Sequence, residues 1–135
     1  MASTIRLELV TPERLLLSEE IDEVVAPGYE GEFGVLPGHT PLLAILNIGM
    51  LWYRKESTVK KIALGGGFAE VTHDRVVVLA DTAERADEID LARAQRARDR
   101  AEARLKELSM DDETYGKVYA ELQRALVRMA AGGGE

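Results

Sequence analysis

Residues 88–105 read EIDLARAQRARDRAEARL, five arginines in eighteen residues of a chain of 135 whose formal net charge is −7. The stretch decides the fold because the composition changes just ahead of it. Up to Arg85 the chain is rich in Val, Ile, Leu, Gly and Pro, with thirteen acidic and eight basic residues. From Ala86 to Ala131 there is no Pro and one Gly, Ala and Arg dominate, and ten acidic residues face nine basic ones. Proline and glycine both weaken a helix interior, so their near-disappearance marks the passage into helical sequence. Two modules are expected, residues 1–85 and residues 86–135.

Working outward, the whole chain limits the function classes. Its length suits one domain, or a small domain with an appendage. There are no cysteines, which removes disulfide frameworks and thiolate metal sites. No run approaches the roughly twenty apolar residues of a membrane span, and MASTIRLELV lacks the basic region and apolar core of a secretory signal. A soluble, untargeted chain is expected. The acidic balance and sparse aromatics argue against a large nucleic-acid footprint or a general attraction to anionic lipid, which need a basic face.

The first module reads as strands. In IRLELV, Ile5, Leu7 and Leu9 alternate with Arg6 and Glu8, the period of a half-buried strand, and Thr11 and Pro12 end it. The further runs RLLLS, IDEVVAP, GVLPGHTPLLAIL, GMLWYR, VKKIALGGGFAEV and RVVVLAD are punctuated by Gly, Pro, Asn or His-Asp. Short strands at this spacing predict an all-β sandwich or flattened barrel.

The second module reads as two helices. Asp87 and Asp90 offer an N-terminal cap for the first. SMDD interrupts it, and Ser109 with Asp112 offers a second capping pattern. The apolar stripes are expected at Leu91, Ala94, Ala97, Ala101, Leu105 and Leu108, and at Tyr115, Val118, Tyr119, Leu122, Leu126 and Met129. So short a connection predicts an antiparallel helical hairpin. The closing GGGE is expected to fray. Because the first stripe is mostly Ala, at about 0.8 kcal/mol per buried methyl-sized group, the hairpin is expected to be weakly held and open to redirection by a ligand or partner.

The arginines admit two readings. Arg93, Arg100 and Arg104 run along one face near Asp90, while Lys117, Glu121, Arg124 and Arg128 recur at spacings of three or four. They form either solvated faces laced with carboxylate pairs such as Asp90, Asp99 and Glu121, or a site for a polyphosphate between the folded helices. Other chemistry is weak. GGGF, residues 65–68, lacks the Lys-Ser/Thr and following helix of a phosphate loop, so a β-bulge or close backbone contact is expected there. His39 and His73 are isolated, no cluster has metal-ligand spacing, and no catalytic site is expected.

EGEFGVLPGHTPLL, GMLWYR, GGGFAEV and VVVLADTAERADEIDLARA together resemble the epsilon subunits of bacterial F-type ATP synthases, called delta in mitochondria. The resemblance covers nearly the whole chain. It implies an α+β fold, a flattened N-terminal β-sandwich followed by a C-terminal antiparallel helical hairpin, and a rotor and regulator in place of an enzyme. It implies contacts of the β-module with the gamma subunit and the ring of c subunits. The loop Tyr29, Glu30, Gly31 and Glu32 would meet the polar loops of the ring, and His39 would lie near gamma. An exposed acidic loop is otherwise merely solvated, and a lone His beside Pro and Gly merely structural.

The hairpin would be the regulatory part, folded on the β-module or extended into the alpha/beta catalytic head, where its basic face blocks ATP hydrolysis. IDLARA matches the motif of members that bind ATP when folded, giving Ile89, Asp90, Arg93 and Ala94. Further site positions fall on Glu84, Arg100, Arg124 and Arg128. ATP is thus the implied regulatory ligand, no cofactor is required, and magnesium's part is left open. The resemblance places the chain on the cytoplasmic face of the bacterial cell membrane, peripheral and held only through the complex. A purely structural coupling subunit and an independent nucleotide sensor remain as alternatives.

Overall fold

The computed structural model describes residues 3–133. Eight strands come first: β1 (Ile5–Val10), β2 (Leu15–Ile21), β3 (Glu23–Gly28), β4 (Gly31–Val35), β5 (Leu42–Lys55), β6 (Thr58–Val71), β7 (Arg75–Ala80) and β8 (Ala83–Arg85). A 3-10 turn, Ala86–Glu88, leads to α1 (Leu91–Glu107) and α2 (Glu113–Gly133). The strands form one sheet in the order β2-β1-β7-β6-β5-β3-β4, with β8 on β6. Only β1 and β7 run parallel among these pairs. The sheet folds over a single core, and the expected α+β architecture with a β-module ahead of two helices is what the chain adopts.

Alternation does the work in β1. Ile5, Leu7 and Leu9 are fully buried while Arg6 and Glu8 lie between core and solvent. The ladder to β2 slips by one residue between Leu9 and Val10. Leu16 is the extra residue of this bulge, which lets the consecutive Leu16 and Leu17 both reach the core.

The longest strands depart from expectation. PLLAIL and GMLWYR are not separate, because residues 42–55 form one continuous strand, and residues 36–41 are loop. Asn47 and Gly49 looked like turn residues, yet Ile48 and Gly49 pair with Gly65 and Leu64 in the ladder. A Cβ on Gly49 would meet Cβ of Pro27 at 2.6 Å, so the glycine serves the approach of β3. GGGF behaves as a close backbone contact. At Gly67 (φ 145°) a Cβ would run into the carbonyl oxygen of Leu79, and the β6 register stays continuous through it.

In the hairpin, Asp90 caps α1 by accepting from the Arg93 backbone N–H at 3.1 Å. Asp112 does the same for α2 with Thr114 at 2.8 Å. The fully buried residues are all small: Ala94 and Ala101 on α1, Val118, Ala125 and Ala131 on α2. Two expected stripe residues are not covered, since Tyr119 is 49% and Leu126 40% exposed. Close packing through Ala and Val turns the buried arc of α2 toward Ala125, leaving the larger side chains on its rim. α2 lies on β5 and β6. It continues through Gly132 and Gly133 in place of the expected fraying, and the last two residues of that tail lie outside the described residues.

Candidate functional site: a cleft of arginines between the two helices

Small residues at the helix interface leave room above them. Ala97, Ala101 and Ala125 floor a cleft of about 490 Å³ whose walls are Arg100 and Arg104 from α1 with Glu121, Arg124 and Arg128 from α2. Each helix supplies its two arginines at i and i+4, one turn apart on one face, a spacing at which like charges repel. Among the described residues, Arg100, Arg104 and Arg124 make no side-chain hydrogen bond or ion pair. Three unpaired guanidiniums and one carboxylate, Glu121, therefore leave the cleft electropositive, and planar guanidinium forks suit phosphate or carboxylate oxygens.

Arg128 is engaged differently. Its Nε donates to Oε1 of Glu84 at 2.8 Å and a terminal nitrogen donates to Oε2 at 3.4 Å. Both side chains are half-buried. Arg124 and Arg128 also line a smaller cleft of about 190 Å³ with Ala63, Gly65, Ala83 and Glu84, so the two spaces share a wall.

The structure thus brings Arg100, Arg124 and Arg128 to one cleft, adds Arg104, and places Glu84 in the adjoining cleft, paired with Arg128. The motif residues stand elsewhere. Asp90 is a helix cap, and Ile89 packs against the end of α2, its Cγ2 2.9 Å from where a Cβ on Gly132 would lie. Ala94 is 0% exposed. Arg93 is exposed and is fixed by its backbone N–H. None of these four lines either cleft. Arg104 carried one signal in the sequence, its spacing of four from Arg100.

The linker is built for stability. Arg85 donates to the Leu16 carbonyl, and Glu88 accepts from the Arg85 backbone N–H at 3.2 Å and pairs with Arg14 at 3.2 Å. The Arg85 amide and the Arg14 guanidinium hold the Glu88 carboxyl below the usual carboxylate range, against a smaller opposing effect of burial. Nearby, the Tyr53 hydroxyl donates to Glu19 at 3.2 Å, and burial together with the Glu19 charge pushes its pKa up to about 12.

At the far end of the β-module, Tyr29 and Glu30 form the turn between β3 and β4, and Gly31 holds φ 130°. Tyr29 is 69% exposed, and Glu30, Gly31 and Glu32 are exposed. They border a cleft of about 470 Å³ with Phe33, Leu43 and Ile45. His39 does not line it. Its Nδ1 contacts the Thr40 carbonyl at 2.6 Å, within its own loop.

One surface escaped the sequence reading. Leu15, Val10, Leu79, Phe68 and Ile45 are successive cross-strand neighbours over five strands. All but Val10, which is half-buried, are more than half exposed. Leu43, 73% exposed, extends the row on β5. Its signal was the apolar residues at outward positions, Val77 and Leu79 in RVVVLA and Leu43 and Ile45 in PLLAIL. So long an apolar row on an outer face is a candidate contact surface.

The comparisons with known proteins agree with this architecture. Residues 4–86 match the beta-sandwich domain of the ATP synthase delta/epsilon chain, and residues 87–133 match its long alpha-helix domain. The chain is 55% identical to ATP synthase epsilon chain 2 of Syntrophotalea carbinolica over 133 residues, covering 98% of this chain and 96% of that one. It is 53% identical to the ATP synthase epsilon chain of Geobacter sulfurreducens with the same coverage. Among solved structures it resembles a chain of the Euglena gracilis mitochondrial ATP synthase OSCP/F1/c-ring assembly, with TM-score 0.82 and 26% identity over 96% of this chain and 81% of that chain. Over both domains and nearly its full length, the chain belongs to the bacterial epsilon-subunit family of F-type ATP synthases, whose members are non-catalytic parts of the central stalk.

Proposed function

We propose that this central-stalk subunit couples rotation between the c-subunit ring and the catalytic head and limits ATP hydrolysis through its helical hairpin, with ATP as the signal. The observation that carries the nucleotide reading is the cleft in which Arg100, Arg104 and Arg124 stand unpaired on facing helices. A triphosphate bridging them holds α1 against α2, and it favours the closed hairpin by its differential affinity for that state. Released, the basic faces of the helices are free to meet an acidic surface of the alpha/beta head. The weak apolar contact between helices, through Ala94, Ala101, Val118 and Ala125, fits an element that a ligand of modest affinity can redirect.

The β-module supplies the mechanical part. The apolar row from Leu15 to Ile45 suits the gamma subunit, and the exposed turn Tyr29–Glu32 suits polar loops of the c ring. His39 joins the gamma side of this reading only through its loop. No described helix is long and apolar enough to cross a membrane, and attachment to the cytoplasmic face of the cell membrane runs through the complex.

Calorimetric titration of ATP into the full chain tests the nucleotide reading. Saturable binding that is lost in Arg100→Ala/Arg124→Ala supports it. An absence of heat and of thermal stabilisation at millimolar ATP favours the second reading, a structural coupling subunit without nucleotide response, to which the prior engagement of Arg128 by Glu84 lends weight.

A further inference from the structure

The last turn of α2 is helical against its own composition. Gly132 and Gly133 are consecutive there, and glycine is a poor helix residue because it gives up the most backbone freedom. What lies against them is the start of the hairpin. A Cβ on Gly132 would stand 2.9 Å from Cγ2 and 3.0 Å from Cβ of Ile89, and 3.4 Å from Cδ2 of Leu91. A Cβ on Gly133 would meet Leu91 only at 3.6 Å, an ordinary contact. No rotamer change moves the Cβ of Ile89, so a side chain at position 132 pushes α2 away from residue 89. Ile89 is itself fixed, because it follows the 3-10 turn in extended backbone and its amide donates to the Ala86 carbonyl at 3.3 Å. That turn is held to the β-module through Arg85 and Glu88.

We propose that Ile89 and Gly132 form a latch: a fixed knob on the linker that seats only against a helix end without a side chain, and that holds the hairpin closed before any ligand is present. Contact with Ile89 and Leu91 offsets the weak helix propensity of the two glycines. The last turn of α2 is therefore ordered while the latch is shut and unwinds when it opens. The latch rests on packing alone, whereas its consequence for ATP hydrolysis rests on the proposed role of the hairpin.

Hydrogen exchange of the full chain without nucleotide tests it, in wild type, Gly132→Ala, Gly133→Ala, Ile89→Ala and Ile89→Ala/Gly132→Ala. Helix propensity alone makes alanine slow the exchange of residues 127–133 at either glycine. The expected result is the opposite at one of them: exchange about tenfold faster in Gly132→Ala and slower in Gly133→Ala. On the Ile89→Ala background the effect of Gly132→Ala is expected to change sign, because the knob is gone and propensity is left. Slower exchange in Gly132→Ala alone, an acceleration that survives Ile89→Ala, or one that spreads to β1 and β7 overturns the latch. Should Gly132→Ala fail to fold, Ile89→Ala reads the contact by deletion, where faster exchange at residues 127–133 supports the latch and unchanged exchange overturns it. In the assembled synthase, Gly132→Ala is expected to lower ATP hydrolysis about threefold by releasing the hairpin. An opened latch with unchanged hydrolysis overturns the inhibitory reading and leaves the latch standing.

Discussion

The guanidinium of Arg85 donates a hydrogen bond to the carbonyl of Leu16. The last residue of β8 is thereby fastened to the bulge of β2, and Arg14 fastens the following turn through Glu88. The hairpin hangs from a linker that is itself held to the β-module on two sides.

The Glu88 carboxyl sits below its ordinary value when folded, so its contribution is present above the unfolded value, 4.5, and is lost as pH falls through the folded one. Amide exchange over residues 85–89 is expected to accelerate below pH 4.5 relative to the β-module core. In Glu88→Gln that acid-dependent step is expected to vanish. An unchanged pH profile in the variant would locate the effect in another carboxylate.

Tyr53 predicts the opposite limb. Its folded pKa of about 12 exceeds the ordinary 10.0, so the stabilisation is complete below pH 10 and is lost as pH rises toward 12. Urea unfolding at pH 9 and at pH 11.5 should differ by about 2 kcal/mol from this group. Tyr53→Phe should remove that difference and cost about 1 kcal/mol at neutral pH by leaving Glu19 with Lys55 alone.

Glycines supply a matched pair of tests. Gly67→Ala forces a methyl group toward the Leu79 carbonyl at φ 145° and should destabilise the chain by about 3 kcal/mol or more. Gly116 lies inside α2 with open space around its Cβ position, and Gly116→Ala should stabilise by about 0.5–1 kcal/mol. Chemical denaturation of both variants checks the two signs together.

Ala101 is 2% exposed at the interface of the helices. Ala101→Leu should overpack that contact by about 1–3 kcal/mol and separate α1 from α2. Hydrogen exchange should then rise across both helices while β1, β6 and β7 keep their protection. Loss of protection in the strands as well would mean that the β-module depends on the closed hairpin.

Much of this was legible in the sequence. Period-two alternation marked β1, the loss of Pro and Gly marked the second module, and Asp90 was recognisable as a cap. Of the residues the resemblance pointed to, Arg100, Arg124 and Arg128 line one cleft and Glu84 lines the adjoining one with Arg124 and Arg128. Other features were hidden for physical reasons. Asn47 and Gly49 read as turns because their types favour turns, whereas here Gly49 sits in the ladder and admits Pro27, and Asn47 lies in the same strand and donates to the Gly28 carbonyl. The apolar row was missed because its members lie on different strands, up to 69 positions apart between Val10 and Leu79, and adjacency exists only after pairing.

By itself, then, the sequence determined the kinds of elements, their order and the residues able to bear charge, because periodicity, capping and backbone restriction act within a few residues. The tertiary structure alone decided which charges are satisfied and which surfaces stay open. Arg128 is paired and Arg124, one turn away, is not, since Glu84 arrives from a strand that sequence spacing does not bring near. Tyr119 and Leu126 face solvent because small residues let the helices pack closely along another arc. Pairing, burial and electrostatic neutralisation depend on distances through space, and folding sets those distances.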